Sequence, residues 1–468
     1  MKSRNKSESG GPATAVVAEP DSTPKTKANN KAVSNAAESV SDDVSRNVSA
    51  TAEMTAEGKS QIERKARALL ESSEIFKFLR KALRRAGLVG EVRNGLVLFI
   101  VAISALLDRP LNAIVKGSSS AGKNYLVGRA LRLLPKEAFR EITSSSKTAW
   151  NYGRDDFRHA IVYLQERNDA AGAVHPVRLL ISEQKLIRTV TVNENGVRAS
   201  KTFVAEGPIA SISTTTRDRI EVDDENRHIS LWMDESQKQT RKINESYVSP
   251  KPLLTEDELA VWHEAHALIK ARADVPVTLP DWFKIVANNV FDGSVTSRRY
   301  FPNFVEGCKT IALLRSFERY PVDKPPREIE VDFSDFAIAT VLFEEVFVES
   351  LDRDGDENLK TRMAVQEISD ANEGAPVTAE QLAERMSVSM DRAYRLLRDA
   401  VDAKLILRAN EPEKANLKTY LPAARLRFIP DPAEILQEIP QITAPVEFIH
   451  PLTDEKVRLI RKPAKKAS

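Results

Sequence analysis

The sequence predicts a mixed α/β chain. It combines a layered domain of alternating strands and helices, a helical region after it, and a small separate unit near the C-terminus. Three observations predict this. Between residues 111 and 235, short apolar runs at 111–115, 161–164, 209–213 and 229–233 alternate with helical stretches. Inside that region the turn dipeptide Asn195-Gly196 separates two β-rich runs, 186–192 and 197–204. From residue 358 a helix–turn–helix pattern leads into a short apolar strand.

Bulk composition sets limits. A length of 468 residues holds two or three domains, and a hydrophobic content of 42% supplies a core. The net charge is only +2, so contact with nucleic acid must come from local patches. The single cysteine, Cys308, excludes a disulfide framework or a cysteine-rich zinc site and fits a cytoplasmic location. The apolar stretch 96–107 is shorter than the ~20 residues that span a bilayer, so it reads as a buried helix and no membrane partner is expected.

Taken in order, residues 1–58 lack Leu, Ile and aromatic side chains and read as a disordered tail. Residues 60–235 hold N-terminal helices and the layered core. Leu69, Leu70, Ile75, Phe76, Leu79 and Leu83 recur at helical spacing up to Gly87, and a second helix covers 95–107. Residues 236–350 read as helical, 353–357 as a turn or linker, 358–430 as a small unit and 431–468 as a basic tail, loose from Lys456 to Lys466.

The segment "IVKGSSSAGKNYL" carries the first chemistry. A strand at Ile114 and Val115 runs into Gly117, Ser118, Ser119, Ser120, Ala121, Gly122 and Lys123, and helical periodicity resumes over 125–134. Glycines let backbone N–H groups approach phosphate oxygens closely, the following helix N-terminus faces the anion, and Lys adds a point charge. Asn124 stands where a metal-holding hydroxyl is expected. Roughly 40 residues on, "AIVYLQERND" ends a strand in Gln165 and Glu166, which makes Glu166 the candidate base. A third strand, "PIASISTTT", ends in hydroxyls suited to orient water, Thr214 first among them. Arg227 precedes the last strand; it is either a charge donor to a neighbouring copy's site or a surface partner of Asp223 or Glu225. Arg241 on the following helix has the same two readings, as a phosphate contact or a surface residue. The inserted hairpin carries Arg188, Arg198 and Lys201, suited to a phosphate backbone or simply solvated.

Together these parts resemble AAA+ P-loop ATPases, especially helicase or primase-associated proteins of phages and mobile elements. "GSSSAGKN" matches the Walker A loop, "IVYLQE" the Walker B strand, "SISTTT" the sensor-1 strand end, "ENRHISLWMDES" the arginine-finger region and "QTRKI" the sensor-2 region. The resemblance covers about residues 95–320. It implies a three-layer nucleotide-binding domain with an inserted hairpin and a helical lid. It implies ATP and Mg2+, with residues 117–124 and Arg241 on the nucleotide. It assigns catalytic roles to Lys123, Glu166, Thr214 or Thr215, and Arg227, and metal contacts to Asn124 and Glu166. Asn124 and Gln165 depart from the pattern; each is a neutral amide whose oxygen can still coordinate magnesium.

The C-terminal "PVTAEQLAERMSVSMDRAYRLLRDAVDAKLILRAN" resembles a winged helix-turn-helix. Its second helix would present Ser389, Arg392, Arg395 and Arg398 to a major groove, with Tyr394 as a packing residue or a further groove contact. The alternative is a protein-interaction module of the same fold. His263 and His266 share a helix face without a third ligand and read as a packed or solvated pair.

The whole reads as an ATP-dependent DNA motor of phage, plasmid or integrated-element replication, working as a homo-oligomeric ring, a hexamer first. The alternative is an ATP-binding switch that assembles on DNA without processive unwinding.

Overall fold

The computed structural model describes residues 56–143, 156–167, 170–194, 197–249, 252–291, 297–353, 357–403, 405–409, 418–423 and 427–462. The expected tail at 1–55, the hairpin tip Asn195-Gly196, the linker at 354–356 and the wing tip at 410–417 lie outside these residues. The chain divides into Met1–Lys59 and Ser60–Ser468. Only the first turn of helix α1 (Ala56–Leu70) is described in the first unit. All that follows concerns the second.

Helices α2 (Ile75–Arg85) and α3 (Val92–Ser104) lead into strand β1 (Ala113–Lys116). Helix α3 is apolar on nearly all sides and is buried accordingly, with Leu96 to Ser104 all inaccessible or nearly so. Helix α4 (Lys123–Leu131) follows the Gly-rich loop. Then come β2 (Phe139–Ile142), β3 (Ala160–Leu164), α5 (Ala171–Glu183), the hairpin β4 (Lys185–Glu194) and β5 (Val197–Glu206), β6 (Ile209–Thr215), the one-turn α6 (Val222–Glu225) and β7 (Ile229–Trp232).

Five of these strands form one parallel sheet in the order β2-β3-β6-β1-β7. Alternation along the strands feeds two apolar layers. Ile161 and Tyr163 of β3, with Ala210 and Ile212 of β6, face the layer that holds α3 and α4. Val162 and Leu164, with Ile209, face a second layer built with Ala173, Val177 and Leu180 of α5 and the hairpin base at Leu186 and Ala205. The result is a helix–sheet–helix stack. The edge strand β2 was not foreseen; its sequence, FREI, has two charged residues and only its ends are apolar.

The helical region holds α7 (Gln237–Val248), α8 (Glu256–Arg272), β8 (Val277–Thr278), α9 (Phe283–Asn289), α10 (Ser297–Arg319), β9 (Ile329–Glu330) and α11 (Phe333–Arg353). Its aromatic residues, Phe304, Phe336, Phe343 and Phe347 among them, join the same core as α3 and the sheet.

Helices α12 (Glu357–Ala371), α13 (Ala379–Met386) and α14 (Met390–Asp402) pack with a small antiparallel sheet of order β10-β12-β11, formed by Val377–Thr378, Thr419–Pro422 and Ile406–Ala409. This unit has its own core of Val365, Leu382, Leu397, Ile406 and Tyr420. Thr378 and Gln381 form a capping box at the start of α13.

The expectation of a basic tail over 431–468, loose from Lys456 to Lys466, is corrected for the described residues up to 462. Helix α15 (Pro432–Glu438) buries Ile435 and Leu436, and β13 (Val446–Ile449) pairs with β14 (Lys456–Leu459). Just ahead of this segment, Glu344 of α11 accepts from the backbone N–H groups of Phe428 and Ile429 at 2.9 and 2.7 Å, and both side chains join the main core, so the small unit expected over 358–430 ends before them. The charge of this segment masks a few apolar side chains that complete the main core. Residues 463–468 lie outside the described residues.

Candidate nucleotide site

Strand β1 ends at Lys116, and the loop from Gly117 to Gly122 turns the chain into α4. Gly122 has φ +83°, a left-handed conformation that a side chain strains. A Cβ at Gly117 would lie 3.0 Å from Glu235 Oε1 and 3.1 Å from Met233 Cβ, so a side chain there would crowd both neighbours. Ser118, Ser119 and Ser120 are exposed at the loop tip, and Ala121 is half-buried.

Lys123 is buried, and its Nζ donates to the carbonyls of Gly117 at 3.0 Å and Ser118 at 2.6 Å. Burial lowers its pKa, against the opposing pull of Glu166 and Glu235. The lysine is therefore folded onto its own loop. Glu235, which follows β7, accepts from the Ser118 N–H at 2.5 Å. A carboxylate thus holds one loop donor that would otherwise face an anion.

Strand β6 lies between β1 and β3, which brings their C-terminal ends together. Thr214 is fully buried there. Its Oγ1 accepts from the Glu166 N–H at 2.9 Å and donates to Asn124 Oδ1 at 2.7 Å. The Tyr163 hydroxyl donates to the same Asn124 oxygen at 3.2 Å. Asn124 Nδ2 points back at Glu166 Oε1, 3.5 Å away. Burial, then the nearby Glu141, pushes the Tyr163 phenol well above its ordinary pKa, so it stays a donor. Asn124 is a crosspiece tying α4 to two strand ends, and its oxygen already receives two hydroxyl protons. Glu166 is exposed and sits at φ +50°, which turns it out of the strand line. Gln165 extends the ladder with β2 through its N–H to the Ile142 carbonyl at 3.0 Å.

The structure therefore brings Lys123, Asn124, Glu166 and Thr214 together, and adds Tyr163 and Glu235, which sequence reasoning missed. Tyr163 was read only as a strand residue, and Glu235 only as part of a matched string. Arg227 lies elsewhere. The register pairs Ala113 with Ile229, so Arg227 stands at the strand edge opposite the loop. Its Nε donates to Ser182 Oγ at 2.7 Å, and its Nη1 donates to the Asp223 carbonyl. Arg241 is exposed on α7, away from any described ion pair.

On the hairpin, Arg188 lies opposite Phe203 and Lys201 opposite Val190, which puts both cations on one face. Both are half-buried and each has a bonded neighbour, so they are not simply solvated. Arg198, opposite Asn193, is exposed on the other face. In the C-terminal unit Ser389 caps α14 by accepting from the Arg392 N–H, so its hydroxyl serves the helix. Arg392 pairs with Glu357, Arg398 pairs with Asp399 at 3.3 Å, and Arg395 is exposed. Tyr394, expected to pack, is 48% exposed, because its register on α14 points away from Leu396 and Leu397. No group of three or more metal-ligating side chains occurs among the described residues, and no helix there is long and apolar enough to cross a membrane.

No protein-family model matches the chain, and no curated protein sequence does. Among solved structures it is similar to a full-length MCM homolog from Methanopyrus kandleri, with TM-score 0.39 and 11% identity. That match covers 62% of this chain and 62% of the homolog, so the chain spans less than two thirds of that protein. It is also similar to the ORC1 protein of Aeropyrum pernix, solved in complex with DNA, with TM-score 0.24 and 13% identity over 75% of this chain and 93% of that one.

Proposed function

We propose that the chain is an AAA+ P-loop ATPase that acts on DNA. One observation carries the reading. Lys123 and Asn124 at the start of α4, Thr214 at the end of β6 and Glu166 past β3 meet at one edge of a parallel sheet, beside a loop with glycine at its two tightest positions. A cationic loop with free N–H groups suits nucleotide phosphates, and a carboxylate beside it suits the hydrolysis of their anhydride bond.

Each residue has a definable task. Lys123 would leave its own loop carbonyls to meet phosphate oxygens. Glu166 would orient the attacking water and take its proton. Thr214 holds the Glu166 backbone at a fixed height. Arg227 stands too far along the sheet for its own site, which supports a role in a neighbouring copy's site and hence a ring, proposed as a hexamer. Magnesium at ATP phosphates needs only one or two protein carboxylates, and Glu166 fits that demand. When bound, the ion neutralises phosphate charge. Asn124 would hold it through Oδ1 only after releasing Tyr163 and Thr214.

The small C-terminal unit supports the winged-helix reading, with Arg395, Arg398 and a displaced Arg392 as phosphate or base contacts. The hairpin cations Arg188, Lys201 and Arg198 supply a second contact. A helical lid over residues 236–350 and a cytoplasmic place in phage, plasmid or integrated-element replication belong to the same reading. The second reading, an ATP-binding switch without processive unwinding, is favoured by Asn124 and Gln165, since neither supplies a metal-binding charge.

ATP turnover by the full chain, with and without single-stranded and duplex DNA, separates the two. DNA-stimulated turnover that Glu166→Gln reduces by about a hundredfold or more supports the motor. Tight ATP binding without turnover on either DNA leaves the switch.

A further inference from the structure

Two buried cations lie beside the candidate site without taking part in it. Lys116 is the residue immediately before Gly117, and Arg167 is the residue immediately after Glu166. Both reach the same short helix, α6. Lys116, 1% exposed, donates to Glu225 and to the Asp218 carbonyl at 3.0 Å. Glu225 also accepts from Ser230 Oγ at 2.8 Å. Arg167, 6% exposed, pairs with Asp224 at 2.5 Å. Arg178 of α5 donates to both Asp224 oxygens at 2.7 Å. Burial opposes the Asp224 charge, yet Arg178 and Arg167 hold its pKa below the ordinary value.

Helix α6 runs directly into Arg227. The Asp224 carbonyl accepts from the Arg227 N–H at 3.0 Å and lies 2.7 Å from His228 Nδ1, while the Asp223 carbonyl holds the Arg227 guanidinium. Ser182, at the end of α5, takes the Arg227 Nε. Breaking either buried ion pair would strand an unpaired charge, so α6 must follow both ends of the phosphate site as one piece.

We propose that α6 carries the state of a chain's own phosphate site to Arg227, with Asp224 and Glu225 as its positioning residues. The inference rests on the nucleotide-site reading above and deepens it. A phosphate that lifts Lys123 and the Gly117 turn displaces Lys116, and a water or metal that moves Glu166 displaces Arg167. Either shift re-aims Arg227, which in the proposed ring would face a second copy's site. The direction of control runs from one copy's nucleotide to the next copy's turnover.

A double-mutant cycle on the full chain tests this, reading ATP turnover at saturation and the ATP dissociation constant separately. Arg227→Ala should lower turnover about a thousandfold, with affinity changed by less than about twofold. Glu225→Gln should lower turnover about tenfold on its own and less than about twofold in the Arg227→Ala background, because its effect passes through Arg227. Ser182→Ala, a substitution at an exposed position, covers the case in which Glu225→Gln does not fold; its loss should also vanish without Arg227. Additive losses, or full turnover in both Glu225→Gln and Ser182→Ala, would overturn the inference. Turnover untouched by Arg227→Ala in a chain that binds ATP overturns it as well and removes the role of Arg227. A chain that binds no ATP fails at the earlier reading.

Discussion

Asn124 shows how a residue that departs from a motif can keep its place. Its carboxamide links Tyr163, Thr214 and Glu166, each by a different atom or proton, and so sets the distance between α4 and the carboxylate. Lys123, Glu166 and Thr214 were legible because each directly adjoins a strand or loop boundary in sequence. Glu235 was not legible, because its role depends on β7 lying next to β1. Its carboxylate satisfies the Ser118 N–H and pulls on Lys123, so it would compete with a phosphate at the proposed site. Glu235→Gln keeps the shape and removes the charge. ATP affinity measured by calorimetry should rise roughly threefold to tenfold, a gain of up to about 1.4 kcal/mol.

Elements were legible where their apolar pattern is local. Strands β1, β3, β6 and β7 and the hairpin were expected close to their observed bounds. Strand β2 was missed because an edge strand buries little and carries Arg140 and Glu141. The segment over 431–462 was missed because its partners, such as Arg80 for Asp454, lie far away in sequence. In α14 the buried stripe Ala393, Leu396, Leu397 and Ala400 leaves Arg395 and Arg398 on the open face. If that face meets DNA phosphates, Arg395→Ala should weaken binding to all sequences alike and lower the slope of log affinity against log salt by about 1. A titration of duplex DNA at several salt concentrations reads this, and an unchanged slope would remove Arg395 from the interface.

At the scale of the whole molecule, one apolar core runs from Ala66 through the sheet and the helices to Phe448, so distant segments fold as one unit. Two buried histidines link that unit to pH. Burial lowers His228 to about 4, with Arg167 adding to the effect, and lowers His266 to about 4 as well. The unfolded chain takes up these protons near pH 6.5 and the folded chain does not. The contribution of these two groups is therefore full above about pH 6.5 and is lost as the pH drops toward 4, by on the order of 3 kcal/mol for each. Buried Asp335, raised to about 6, acts in the opposite sense. Urea midpoints measured at pH 7.5 and pH 5 isolate the histidine part by comparison: His266→Gln should lose less stability, or gain more, than the unaltered chain between the two. Whether the loop at 117–124 and the ends of β3 and β6 form one ATP site is read by equilibrium binding of ATP to the full chain beside Lys123→Ala. Binding should be saturable, and the substitution should weaken it by about tenfold to a hundredfold, the worth of one charged hydrogen-bond donor. Equal affinity in the two proteins, or no binding to the unaltered chain, would contradict the proposed site.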